Sequence, residues 1–212
     1  MKKILLGTTN ASKITRFKEL LDGYDVSFYT LSDLQISGEP DEQGTTPAEN
    51  AKIKAKYYSR YFDAVICNDS GLYFEDLALD DNRQPGLNVR TPNGGKRLND
   101  DEMIAYYSAL VRSLGGKVLV YYLDGFAVYN KGEIHTFMEN NETTRLSAFW
   151  MVDTPSPKRQ QGWPLNSLSK NRNTLTYFSE AGNNKYDTPK EQIMLGAYRK
   201  RLIQFLVNAL NL

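Results

Sequence analysis

Three short apolar runs, Lys3–Thr8, Val26–Tyr29 and Ala64–Asn68, are separated by two segments of helical period, and this alternation constrains the fold more than any other feature. Strand and helix in turn over the first third of a chain is the pattern of an α/β fold, with helices packed on a sheet. The first helix reads from about Ala11 to Leu21, with Ile14, Phe17, Leu20 and Leu21 on one face and Gly23 as its stop. The second opens on Thr46-Pro47-Ala48-Glu49: Thr46 caps, Pro47 fits the first turn, and Glu49 completes a capping box. It should continue to about Phe62. If the strands are parallel, the loops that follow them meet at the carboxyl edge of the sheet, where such folds bind ligands.

Past a long loop, Asp80–Gly95, Asn99-Asp100-Asp101-Glu102 caps a further helix to about Leu114. The pattern then changes. Lys117–Tyr129 and Glu133–Trp150 read as two long strands joined by the turn Asn130-Lys131-Gly132, long enough to form a projecting second lobe. Thr154–Arg172 is irregular and suits a site-lining loop, and a last helix spans about Lys190 to Leu210. The expected organisation is one domain over residues 1–212, with a lobe of about 1–115 plus 190–212 and a β-rich lobe of about 116–189.

Composition narrows the chemistry. A formal net charge of +1 gives no global reason for nucleic-acid or membrane binding. The single cysteine, Cys67, excludes an intrachain disulfide and a cysteine-rich zinc site, and the single histidine, His135, excludes a multi-histidine metal site. No apolar run is long enough to span a bilayer, and the segment before Gly7 is too short for a signal peptide. The expected compartment is the cytoplasm.

Three polar segments would converge at the carboxyl edge. Thr8-Thr9-Asn10 with Lys13 stands at a helix start, where backbone N–H groups, the helix dipole and an ammonium make a phosphate cradle. Asp41 and Glu42 lie on an acidic loop ahead of the helix that carries Asn50 and Lys54, and carboxylates of this kind suit Mg²⁺ shared with phosphates. Asp69-Ser70-Gly71 ends the third run. Alone, each is as well explained by a cap, a solvated loop or a turn. Together, in this order, they point to a metal-assisted phosphate site.

The combination resembles the inosine triphosphate pyrophosphatase family, enzymes that cleave unusual purine nucleoside triphosphates. The T-x-N-x-x-K motif of that family is matched by Thr8, Asn10 and Lys13. Its acidic-x-x-G and E-N-A-x-x-K-A are matched by Asp41–Gly44 and Glu49–Ala55, its D-S-G-L by Asp69–Leu72, and its P-G by Pro85-Gly86. The match is close over roughly the first ninety residues and holds in outline beyond. The resemblance implies an elongated mixed sheet flanked by helices, two lobes with a central nucleotide cleft, and a homodimer. It implies hydrolysis of an NTP or dNTP to NMP and pyrophosphate with Mg²⁺ bound by Asp41, Glu42 and Asp69. Lys13 and Lys54 would neutralise phosphate charge while Asp69, or a carboxylate near it, orients water. Thr8, Asn10, Asn50, Ser70 and Gly71 would complete the phosphate side.

On the base side this sequence departs from the family. Relatives carry G-[FY]-G-[YW]-D-P and S-H-R, where this chain reads Gln161–Asn166 and Ala197-Tyr198-Arg199. Trp163 and Arg199 are the candidates for base contact, and a changed base preference is the expected consequence. The alternatives are a Maf-like pyrophosphatase acting on pyrimidine or modified nucleotides, and a nucleotide-binding protein without turnover.

Overall fold

The computed structural model describes residues 1–139, 144, 145, 147–181 and 189–212. All three apolar runs form strands: β1 (Lys2–Leu6), β2 (Val26–Thr30) and β3 (Ala64–Phe74). β1 runs parallel to both neighbours, pairing Leu6 with Thr30 on one side and with Ile66 on the other. Between them stand α1 (Ala11–Leu20) and α2 (Pro47–Tyr58).

Two compact units emerge, Met1–Ser70 with Asp124–Glu139 and Gly196–Leu212, and Gly71–Leu123 with the described part of Asn140–Leu195. In the first unit the sheet is covered on both faces. Ile4, Leu6 and Ile66 pack with Phe17 and Leu20 of α1 and with Leu202 and Leu206 of the last helix, α4 (Pro189–Leu210). Leu5, Val65 and Cys67 face the other way, onto Ala51, Ala55 and Tyr58 of α2. Alternate residues of one strand therefore serve opposite layers, as the pleat requires. Burial pushes the Cys67 thiol up to about 12, so it is a core side chain and not a nucleophile.

β4 (Lys117–Asn130) and β5 (Glu133–Met138) form the expected hairpin, with Asn130 opposite Glu133 and Gly125 opposite Met138. Lys131 and Gly132 have φ of 49° and 100°, the left-handed pair that a tight hairpin turn needs. The reading of Glu133–Trp150 as one strand is corrected. β5 ends at Met138, and Phe149–Val152 is a separate strand, β6, antiparallel to the opposite end of β4. Residues 140–143 and 146 of that stretch lie outside the described residues.

α2 starts where the sequence places it, with the Thr46 hydroxyl accepting from the Glu49 amide, a cap that stabilises by about 1 kcal/mol. The Glu49 carboxylate accepts from the Thr45 amide at 2.7 Å and the Thr45 hydroxyl at 2.8 Å, one residue ahead of the Thr46 amide that the expected capping box would use. The helix ends at Tyr58, short of Phe62.

The second unit is built on α3 (Asp100–Ser113), whose Asn99–Glu102 capping box is present, packed on β6, which pairs with β7 (Ser169–Lys170). Leu72, Phe74, Tyr107, Val111 and Met151 form its core. The strand order through the sheet is β2-β1-β3-β4-β6-β7, with β5 pairing β4 off that path. Among the described residues no helix is long and apolar enough to cross a membrane.

Candidate active site

β3 does not stop at Asn68 as its composition suggests; it continues to Phe74 because β4 pairs with it after β1 has ended. Asp69 is thus inside a strand, yet it lies beyond Ile66, the last residue of β3 paired with β1. The pleat turns Asp69 toward α2 and its neighbour Ser70 toward α1, and each heads a separate polar network of the first unit.

On the α2 side, Lys54 Nζ bridges two carboxylates, at 3.1 Å from Asp69 Oδ1 and 2.8 Å from Glu42 Oε2. Asn50, 4% exposed, donates from Nδ2 to Asp69 Oδ2 at 3.0 Å and accepts from the Gly44 amide at 2.8 Å. Asn50 and Lys54 are four residues apart on α2, so one helix face presents both to Asp69. Burial alone would lower the Lys54 ammonium, but Asp69 and Glu42 outweigh it and hold it above the usual lysine range. Burial raises the Glu42 carboxyl, with Lys54 offsetting part of that shift.

At the start of α1, Asn10 accepts from the Ser12 amide at 2.9 Å and the Lys13 amide at 3.4 Å, and its own amide donates to Thr8 Oγ1 at 3.1 Å. The cap satisfies those amides, which leaves the Lys13 ammonium as the main cationic group of the turn. Lys13 makes no ion pair among the described residues, and burial, then the nearby Lys54, hold its amine below the usual lysine range. An anion placed there would reverse that shift.

On the α1 side, Ser70 Oγ donates to Asp124 Oδ1 at 2.6 Å, and Arg16 Nη1 donates to Asp124 Oδ2 at 2.8 Å. Arg16 Nη2 donates in turn to the Tyr198 hydroxyl at 3.2 Å. Burial alone would raise the Asp124 carboxyl, but Arg16 and Ser70 outweigh it and keep the acid below its ordinary 3.8. Its folded-state value is depressed, so its stabilising effect is complete above the unfolded value and is lost as pH falls through the folded one. Thermal melting of wild type and Asp124→Asn should therefore differ most at neutral pH and converge as pH drops below about 3.8.

Other candidates are placed differently. Asp41 accepts from Gln43 Nε2 at 2.6 Å on the exposed side of the loop, so Glu42 is the acidic-loop residue that shares Lys54 with Asp69. Gly71 has no room for a Cβ, which would lie 2.7 Å from the Tyr73 ring and 3.1 Å from the Gly86 carbonyl. Gly86, at φ 52°, bridges Leu72, which gives the Pro85-Gly86 motif a backbone reason. Trp163 belongs to the second unit, 39% exposed, at the start of a short 3-10 turn, Pro164–Ser167. Arg199 is exposed and donates to the Glu19 carbonyl at 2.9 Å. Sequence reasoning missed Arg16 and Asp124, although an acid inside the apolar run Val118–Val128 was a signal.

Among the described residues no three His, Cys, Asp or Glu side chains gather as a metal-holding group. Glu42 and Asp69 nevertheless converge on one cationic position, the ammonium of Lys54. Two carboxylates of this kind fit a hard divalent ion that completes its shell with water and phosphate oxygens.

The sequence profile of the Ham1 family matches residues 4–139. A dITP/XTP pyrophosphatase of Thermoanaerobacter pseudethanolicus is 40% identical over 86 residues, 40% of this chain and 41% of that protein. One from Oceanobacillus iheyensis is 44% identical over 89 residues, 41% and 43% of the two chains. These matches span about two-fifths of the relatives' length. The Ham1 protein of Staphylococcus aureus superposes with a TM-score of 0.67 at 18% identity, over 95% of this chain and 98% of that one. The Ham1 protein of Coxiella burnetii gives 0.67 and 18%, over 98% and 100%. At that identity the likeness speaks for the fold.

Proposed function

The chain belongs to the Ham1 family, and on that premise we propose that it hydrolyses a nucleoside triphosphate, ribo or deoxy, to the monophosphate and pyrophosphate. The observation that carries this reading is the convergence of Glu42, Lys54 and Asp69 beside the ammonium of Lys13, which has no ion pair among the described residues, all in one unit. The similarity to dITP/XTP pyrophosphatases supports it.

Glu42 and Asp69 would hold Mg²⁺, which supplies positive charge to the triphosphate and acidifies bound water. Lys13 takes a phosphate oxygen, whose negative charge offsets the burial and the Lys54 repulsion that now lower its amine. Lys54, kept charged by its two carboxylates, stands ready to neutralise the leaving pyrophosphate. Asp69, aimed by Asn50, accepts a hydrogen bond from the water that attacks the α-phosphorus. The departure of Gln161–Asn166 and of Ala197-Tyr198-Arg199 from the family pattern predicts an altered base preference.

A panel of NTPs and dNTPs with Mg²⁺, read for NMP and pyrophosphate, tests the reading. Turnover of at least one nucleotide is expected; tight binding without turnover would favour the nucleotide-binding alternative. Lys13→Ala should raise KM about ten- to a hundredfold, the size of one charged hydrogen bond, and change kcat less. Steady-state kinetics on the best substrate checks it.

A further inference from the structure

We infer that Arg16 and Asp124 are positioning residues for this reaction, a clasp that locks the first turns of α1 to the Asp69 segment of β3. The inference rests on the pyrophosphatase reading, but it comes from a network that reading does not use.

The clasp joins four elements through three hydrogen bonds. Ser70 on β3 donates to Asp124 on β4, which accepts from Arg16 on α1, which donates to Tyr198 on α4. Asp124 gives one carboxylate oxygen to each partner, Oδ1 to Ser70 and Oδ2 to Arg16, so it cannot turn without breaking one of them. The only hydroxyl proton of Ser70 is thereby committed to Asp124. Arg16 stands three residues after Lys13 on α1, on the same side of the helix, and Ser70 follows Asp69 directly. Fixing Arg16 fixes the turn that carries the phosphate lysine. Fixing Ser70 fixes the peptide that carries the water-orienting carboxylate.

Stability is a poor reason for such a pair. With side chains 34% and 21% exposed, both ions lose much of their hydration, and an apolar pair of similar volume commonly does as well. What the ionic version adds is a fixed direction between two strands and two helices. Reactions that depend on placement lose rate steeply when reacting groups drift by an ångström.

The test is the double variant Arg16→Met/Asp124→Leu, which leaves no unpaired charge, together with Ser70→Ala. With the best NTP, the double variant should lose about tenfold or more in kcat while KM stays within about threefold. Its melting temperature should stay close to that of wild type. Ser70→Ala should lower kcat in the same direction and add nothing to the double variant, because both cut one chain of contacts. Amide hydrogen exchange at Lys13–Arg16 should rise about tenfold in the double variant, as local opening is released. Unchanged kcat with an active wild type, or additive effects of the variants, would overturn the clasp. Should wild type turn over no nucleotide, the functional reading falls by itself, and the exchange measurement still decides: unchanged protection of Lys13–Arg16 contradicts the inference.

Discussion

Replacing Asp69 with asparagine should lower kcat by about 10²–10⁴-fold, the loss typical when a positioned proton acceptor leaves a reacting centre. The variant keeps the shape of the side chain but removes its charge. Lys54 retains Glu42 as a partner at 2.8 Å, so the cationic position survives. An amide, however, presents one oxygen where the carboxylate presents two, and Asp69 now serves Lys54 with Oδ1 and Asn50 with Oδ2. One of these donors loses its acceptor, at about 1–3 kcal/mol, and the melting temperature falls by a few degrees. A large kinetic loss with a small thermal loss is the expected signature. A fully active Asp69→Asn protein would remove Asp69 from its role.

Gly125→Ala should produce the largest loss of stability. A Cβ at this position would lie 2.1 Å from the Ala48 nitrogen and 2.3 Å from the Pro47 carbonyl carbon, both backbone atoms at the start of α2. A flexible side chain could move aside, but a capped helix end cannot, so the variant must shift α2 or bend β4. Overpacking costs about 1–3 kcal/mol and here falls at the upper end, roughly 6–12 °C in melting temperature for a chain of this size. Because α2 carries Asn50 and Lys54, kcat should fall as well. Calorimetry with parallel kinetics checks both. A melting temperature within about 2 °C of wild type would mean that α2 does not cross β4 at this glycine.

The parts of the molecule written in local signals were legible. The alternation of strands and helices, the Asn10, Thr46 and Asn99 caps and the Lys131-Gly132 turn each depend on residues close in sequence, and each is present. The end of β3 was misread for a physical reason. Asn68–Gly71 has the composition of a turn, but β4 supplies hydrogen-bond partners and the strand continues. The direction of the acidic loop was equally hidden: nothing local decides that Glu42 turns inward and Asp41 outward. Arg16 and Asp124 are 108 residues apart, and only the fold shows that each completes the other.

The most direct measurement of the central claim is hydrolysis of the preferred nucleoside triphosphate in ¹⁸O-labelled water with Mg²⁺, followed by mass spectrometry of both products. Attack at the α-phosphorus, with Asp69 orienting the water and Lys13 and Lys54 on the phosphates, places the label in the monophosphate and leaves the pyrophosphate unlabelled. Label in the pyrophosphate, or release of orthophosphate with a nucleoside diphosphate, would contradict it.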